Sequence, residues 1–303
     1  LSAAVAAAQN NDVIVLIDDE VIAGNAGVTI PAGLTVTLDL NGFTLSNLVN
    51  ADAASQVIKN NGNLTITDSS EAKTGKIVNA VDENTHAGEW WGTTQYNYAT
   101  NVITNCGTLT VNGGEISQTA ASSICYAIDN NSGAADAILV VNGGYIHNDH
   151  STAVRAFANS TTKQNSITVN GGTVEGAYAG IWVQLPGSSQ QKKLVDLTIT
   201  GGTVKGEYAF YDYTFGDLFD ETAYVISGGT LDGYVFSYGA NIAISGGEFL
   251  KEVDIQQNLP SELSITGGHW SLLTSVLGTS KSGYSVKLGI SVIQPLNPVL
   301  NTS

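Results

Sequence analysis

Ser117, His147 and Glu175 each stand three residues after a Gly-Gly pair, and Lys205 and Asp232 hold the same place after the next two pairs. A serine, a histidine and a carboxylate on successive rungs have the types of a nucleophile, a base and an orienting acid. The flat outer face of a sheet offers no oxyanion hole and no wall against water, which is where such catalysis gains its rate. Glu175 and Asp232, two rungs apart, would lie roughly 9 to 10 Å from each other at the spacing of paired strands. That is near the upper limit for two carboxylates that invert a glycosidic centre. Lys205 on the rung between them holds both ionised, whereas a general acid must keep its proton. The column therefore reads as a Glu-Lys-Asp ion ladder, and it assigns no catalytic residue.

A second set of residues suits binding. Asp129, Arg155, Trp182 and Tyr211 fall on successive rungs of another strand, with Phe157, Gln184 and Tyr213 two residues further along and on the same side. Sugars pack their CH faces on aromatic rings and give their hydroxyls to polar partners, so this face is expected to hold a polysaccharide or cell-surface glycan. Outward aromatics are also good sheet formers, and the same stripe would serve a contact between copies or a purely structural shaft.

A repeat sets these residues in columns. Segments such as "LTVNGGEI", "ITVNGGTV" and "LSITGGHW" place Gly pairs at 113, 143, 171, 201, 228, 246 and 267, with spacings of 30, 28, 30, 27, 18 and 21 residues. Periods of this size mark a solenoid, and the period-two alternation around each pair marks strands. The Gly pair supplies a turn with positive φ. A third strand recurs as "QVIKN", "NVITN", "YAIDN", "TAVRA", "AGIWV", "YAFYD" and "YVFSY". It puts Ile58, Ile103, Ile128, Val154, Ile181, Phe210 and Phe236 in one inward column, and Lys59, Thr104, Asp129, Arg155, Trp182, Tyr211 and Ser237 in an outward one. Asn60, Asn105 and Asn130 form an inward amide column with a structural role. The expected fold is all-β, a single-stranded parallel β-helix with three strands per coil and about nine coils. Residues 1–31 make an N-terminal cap of a short helix and a strand, 32–290 the β-helix and 291–303 a C-terminal cap or tail.

Composition bounds the partners. The chain of 303 residues has 27 acidic and 11 basic side chains, a net charge of −16 and one arginine. Phosphate backbones and anionic membranes need clustered cations, so nucleic acid is excluded and membrane docking disfavoured. No run is long and apolar enough to span a bilayer. Cys106 and Cys125 lack the spacing of a metal or redox motif and leave a disulfide open, and the sequence calls for no metal or cofactor. An excursion at 80–100 carries Trp90, Trp91, Tyr96 and Tyr98 beside Asp82, Glu83, His86 and Glu89. It is expected to wall a groove beside Asp129 and Arg155.

The opening "LTVTLDLNGFTLSN", followed by "LTITDSSEAKTGKI" and the Gly-Gly coils, resembles the right-handed parallel β-helix proteins of the pectin lyase-like superfamily. It is similar in particular to secreted or surface-displayed bacterial repeat proteins and to phage fibre or tailspike proteins. The resemblance covers about Asp12 to about Leu288. It implies a right-handed solenoid with a host- or glycan-facing role at an extracellular, cell-surface or virion-surface location. Separately, the apolar "SLLTSVLG" and "KLGISVIQPLNPVL" are expected either to close the C-terminal end of the rod or to join a partner copy in a homo-oligomer. Lyases of this superfamily hold calcium with clustered acids and abstract a proton with a basic residue, usually arginine. Asp129, Asp149 and Arg155 are a partial echo of that set, and the stacked-aspartate pattern of its hydrolases is absent. The expected function is non-catalytic binding of a glycan or host surface, with a polysaccharide lyase or glycosidase and a bare fibre shaft as the alternatives.

Overall fold

In the structure, a computed structural model, the described residues are 1–49, 55–81, 100–119, 124–160, 162–184, 194–212, 223–237, 241–255, 263–271 and 287–288. The alternation that opens each repeat, as in Asn63–Thr67 and Thr108–Val111, forms a strand with one apolar face. These first strands stack into an eleven-stranded sheet from Asp12–Val15 to Lys287–Leu288. Successive members pair in parallel without slipping, Thr37 to Thr65, Thr65 to Thr110, Thr110 to Val140 and onward. Their inward side chains, among them Leu64, Leu109, Leu139, Ile167 and Leu197, are buried in one continuous core. Six consecutive turns, ending with Gln164–Val169, Thr173–Gly176 and Ala179–Gln184, consist of three separate strands each.

The protein is a parallel β-solenoid of about six such turns, against about nine expected. After them the second and third strands fuse, and Thr203–Asp212 and Thr230–Ser237 each run continuously through the corner. The next turn is again made of three separate strands, Asn241–Ile244, Glu248–Phe249 and Val253–Ile255. The only helix among the described residues is Ser2–Ala7, which lays Val5 into the core. The first turn, Asp12–Val15, Glu20–Ala23 and Val28–Ile30, already lies within the expected cap. The tail at 291–303 is outside the described residues.

In every pair after Gly113-Gly114 both glycines are required, for different reasons. The second has positive φ throughout, 72° at Gly172 and 84° at Gly144, a conformation that costs any other residue energy. The first is held by its neighbour in the stack. A Cβ on Gly171 would stand 2.4 Å from the carbonyl oxygen of Asn142 in the turn below, and one on Gly201 the same distance from that of Asn170. The asparagines before the pairs form an exposed ladder, Asn142 Nδ2 donating to Asn112 Oδ1 and Asn170 Nδ2 to Asn142 Oδ1, both at 2.9 Å.

Inside, the expected amide column is present; Ala156 takes the next third-strand place above Asn130, and the hydrogen bonds run on to Asn165 on a neighbouring first strand. Asn60 donates to Asn105 at 2.8 Å, Asn105 to Asn130 at 2.6 Å and Asn130 to Asn165 at 2.8 Å. A second buried column, Asn47, Asn79, Gln118 and Asn148, lies at or within two residues of the ends of the second strands. Asn79 and Gln118 donate across the corner to the carbonyls of Asn101 and Thr100, and Asn148 to those of Cys125 and Thr152. These bonds satisfy backbone oxygens that the corner leaves without a ladder partner.

The third-strand columns hold from Ile58 to Phe210 and then change. The register shifts between Lys205 and Phe210, and Phe210 pairs with Val235, not Phe236. Val235 therefore fills the inward column at 2 % exposure, and Phe236 joins the outward one opposite Tyr211. Ser237, expected outward, is buried and donates to Asp212 Oδ2 at 3.1 Å, as does the Tyr224 hydroxyl. The cause is two extra residues in "KGEYAFYD" relative to "DGYVFS", one taken up before Tyr208 and one between Tyr208 and Phe210 as bulges.

Candidate functional site

The register places Ser117, His147, Glu175, Lys205 and Asp232 opposite one another on successive second strands. Their hydrogen bonds do not make a triad. His147 has both ring nitrogens on carboxylates, Nε2 at 3.1 Å from Glu115 and Nδ1 at 2.9 Å from Asp149, with its ring stacked on Tyr145 at 4.4 Å. Neither nitrogen is presented to Ser117, which is itself buried. Glu175 receives Lys205 Nζ at 2.8 Å and the Tyr145 hydroxyl at 2.9 Å. The Lys205 hydrogen bond, against the opposing effect of burial, holds the Glu175 carboxyl below the usual glutamate range. Burial and then the bond to Glu175 push the Tyr145 phenol up to about 12. A carboxyl kept ionised in this way accepts hydrogen bonds and does not supply a proton. The column is an ion and hydrogen-bond ladder in which Asp232 acts on Lys205 through space.

On the third strands, Asp129, Arg155, Trp182 and Tyr211 are opposite one another as expected. Arg155 Nε and Nη2 donate to the two carboxylate oxygens of Asp129 at 2.9 and 2.8 Å, and Nη1 donates to Gln184 Oε1 at 3.1 Å. Its guanidinium carbon lies 4.3 Å from the ring centres of both Tyr126 and Phe157. Burial would lower the guanidinium pKa, but Asp129 outweighs it and the net shift is upward. Arg155 is thus a fixed cation whose fork is filled by the protein, and Asp129 is 3 % exposed. This geometry suits a rigid platform and does not suit proton abstraction. Asp149 is on His147, in the other column, so the structure does not bring Asp129, Asp149 and Arg155 together as one set.

Beside this clamp lies a patch of six aromatic side chains on three successive turns. One column is Trp182, Tyr211 and Phe236, with ring centres 6.5 and 5.5 Å apart. The other is Tyr178, Tyr208 and Tyr234, at 5.4 and 5.9 Å. Tyr208 joins the columns, 4.8 Å from Tyr211. Lys251 Nζ lies 5.5 Å from the Tyr234 ring. Trp182, Tyr178, Tyr208, Tyr211 and Phe236 are half-buried and Tyr234 is 43 % exposed. Tyr213, Trp90, Trp91 and most of the 80–100 excursion lie outside the described residues.

The chain matches no family model, no curated protein and no solved structure.

Tyr178, Tyr208, Tyr234 and Phe236 were not among the sequence candidates. The signal for the three tyrosines is a recurring Gly just before the corner, in Gly176-Ala177-Tyr178, Gly206-Glu207-Tyr208 and Gly233-Tyr234. A Cβ on Gly206 would meet the Gly176 carbonyl oxygen at 2.5 Å, and one on Gly233 the Gly206 oxygen at 2.6 Å. The close approach of the corners is what stacks the tyrosines. Cys106 and Cys125 are both free thiols. Among the described residues no group of three or more His, Cys, Asp or Glu side chains is arranged to hold a metal, and no helix is long and apolar enough to cross a membrane.

Proposed function

We propose that this protein is a non-catalytic β-solenoid that binds a glycan or a glycan-bearing host surface through its third-strand face. The observation that carries this reading is the six-ring patch over three turns, held beside a neutralised Asp129–Arg155 pair. Rings that present faces and edges at fixed intervals match the CH faces of a sugar chain. A rod packed around amide columns keeps those intervals without reorganising on binding, which lowers the ordering cost of association. The winding we infer is right-handed, the sense that almost all parallel crossovers take. Likeness to the pectin lyase-like coil, and with it an extracellular, cell-surface or virion-surface setting, rests on the coil sequences and the solenoid. The high negative charge suits an exposed, soluble rod.

The test is a screen of immobilised glycans with the wild-type chain beside a Trp182→Ala/Tyr211→Ala variant, with product analysis of every polymer that binds. Binding lost in the variant with the polymer uncut supports the reading. Cleavage products would replace it with a lyase or hydrolase, and no binding at all would leave a structural shaft.

A further inference from the structure

The aromatic patch has a direction and a charge, and both restrict its ligand. Tyr178, Tyr208 and Tyr234 follow one another turn by turn at the corner before the third strand, and Trp182, Tyr211 and Phe236 do so on the strand itself. A chain lying along the solenoid axis meets three rings in either column. A chain lying across the turns meets two, the pair Tyr208 and Tyr211, and then leaves the patch. Turns in a parallel stack repeat at roughly 4.8 Å, and the ring centres follow at 5.4 to 6.5 Å. That stride is comparable to the length of one pyranose ring in an extended chain.

The charges near the patch speak against an acidic polymer. Carboxylates are recognised by arginine forks and free ammonium groups. Here Arg155 is filled by Asp129 and Gln184, Lys205 is on Glu175, and Lys251 sits over Tyr234. Glu207 precedes Tyr208, Asp232 is opposite Lys205, and Asp254 is opposite Phe236. With a net charge of −16 behind them, the field repels polyanions.

We propose that the ligand is an uncharged polysaccharide that lies along the solenoid axis, one sugar unit to each turn across at least three turns. This rests on the reading of the patch as a glycan site. The sugar faces stack on the tyrosine column, and the phenol hydroxyls exchange hydrogen bonds with ring substituents.

The experiment is calorimetric titration of the intact chain with neutral β-1,4-linked gluco- and manno-oligosaccharides of about two to six units, at low and high salt. Oligogalacturonides of the same lengths are run in parallel. Affinity for a neutral series should rise about tenfold or more up to three or four units, level off, and not change with salt. Tyr234→Ala, at an exposed position, should weaken it about three- to tenfold. Tyr145→Ala, an exposed tyrosine outside the patch, should leave it unchanged, and melting curves check that each variant folds. Preference for oligogalacturonides overturns the uncharged ligand and leaves the glycan site standing. Binding that does not grow with length overturns the axial track. Silence from both series overturns this proposal, and it overturns the glycan reading as well only where the immobilised screen is also blank.

Discussion

Arg155 and Asp129 form a two-pronged ion pair, at 2.9 and 2.8 Å, between adjacent turns of the solenoid. Both side chains are largely out of solvent, 13 % and 4 % exposed, and the guanidinium carbon lies 4.3 Å from the ring centres of Tyr126 and Phe157. Removing one partner leaves a buried charge without its counterpart. Asp129→Ala and Arg155→Ala are each expected to cost about 3–5 kcal/mol. The double variant Asp129→Leu/Arg155→Met should recover much of that, because no lone charge remains. Denaturant unfolding of the three proteins measures it. Equal losses for the singles and the double would show that the pair is not coupled. By contrast, the partly exposed Lys205–Glu175 pair should be worth less than about 1 kcal/mol.

The glycine pairs give a sharper contrast between equivalent positions. Gly171→Ala drives a Cβ to 2.4 Å from Asn142, whereas Gly113→Ala meets only the Asp68 nitrogen at 3.5 Å, an ordinary contact. The first should cost about 1–3 kcal/mol through overpacking, and the second should change stability by less than about 0.5 kcal/mol. Thermal unfolding of the two variants compares them directly, and equal losses would contradict the close-stacking account.

The internal amide column links four turns through single bonds. Asn105→Ala removes the acceptor for Asn60 and the donor for Asn130 at once, in a region at 0 % exposure. About 1–3 kcal/mol is expected for each group left unsatisfied. Amide hydrogen exchange should quicken on the turns around Asn60 and Asn130, and unchanged exchange there would argue that the column is not structural.

Two aspartates near the start of the rod make stability depend on acid. Burial alone would raise both, but hydrogen bonds outweigh it. Ser69 and the Asn41 amide lower Asp39; Ser70 and the amides of Gly75 and Gly42 lower Asp68. A carboxyl with a folded pKa below its unfolded one holds fewer protons when folded. Its stabilising contribution is present above the ordinary aspartate value of about 3.9 and is lost as pH falls through the folded value. The melting temperature should therefore decline below about pH 4, and Asp68→Asn should be less stable at neutral pH with a shallower acid decline. An identical acid decline in the variant would remove Asp68 from the account.

Much of this architecture is legible in the sequence because each structural demand leaves a repeated letter. Close stacking of the turns forces glycine, the strands alternate, and buried corners need Asn or Gln, so "NGG" and the Asn60 column can be aligned by eye. The step at Phe236 cannot. A bulge adds one residue, and the alignment of "YAFYD" with "YVFSY" stays plausible while every side chain beyond it changes face. The His147 bonds are hidden for another reason, since Glu115 reaches it diagonally from two residues before Ser117 and columns show only direct neighbours. Trp182 and Tyr211 are visible as an outward stripe. Tyr178, Tyr208 and Tyr234 escape notice because they stand at a corner, outside any strand-face column.

The most direct measurement of the central claim is oxidative footprinting of the aromatic side chains in the intact protein, with and without a polymer that binds it. Protection of Tyr178, Tyr208, Tyr234 and Trp182, with Tyr145 unchanged, is the result expected. Protection of Tyr145 and its neighbours alone, with the six-ring patch as reactive as in the free protein, would contradict it.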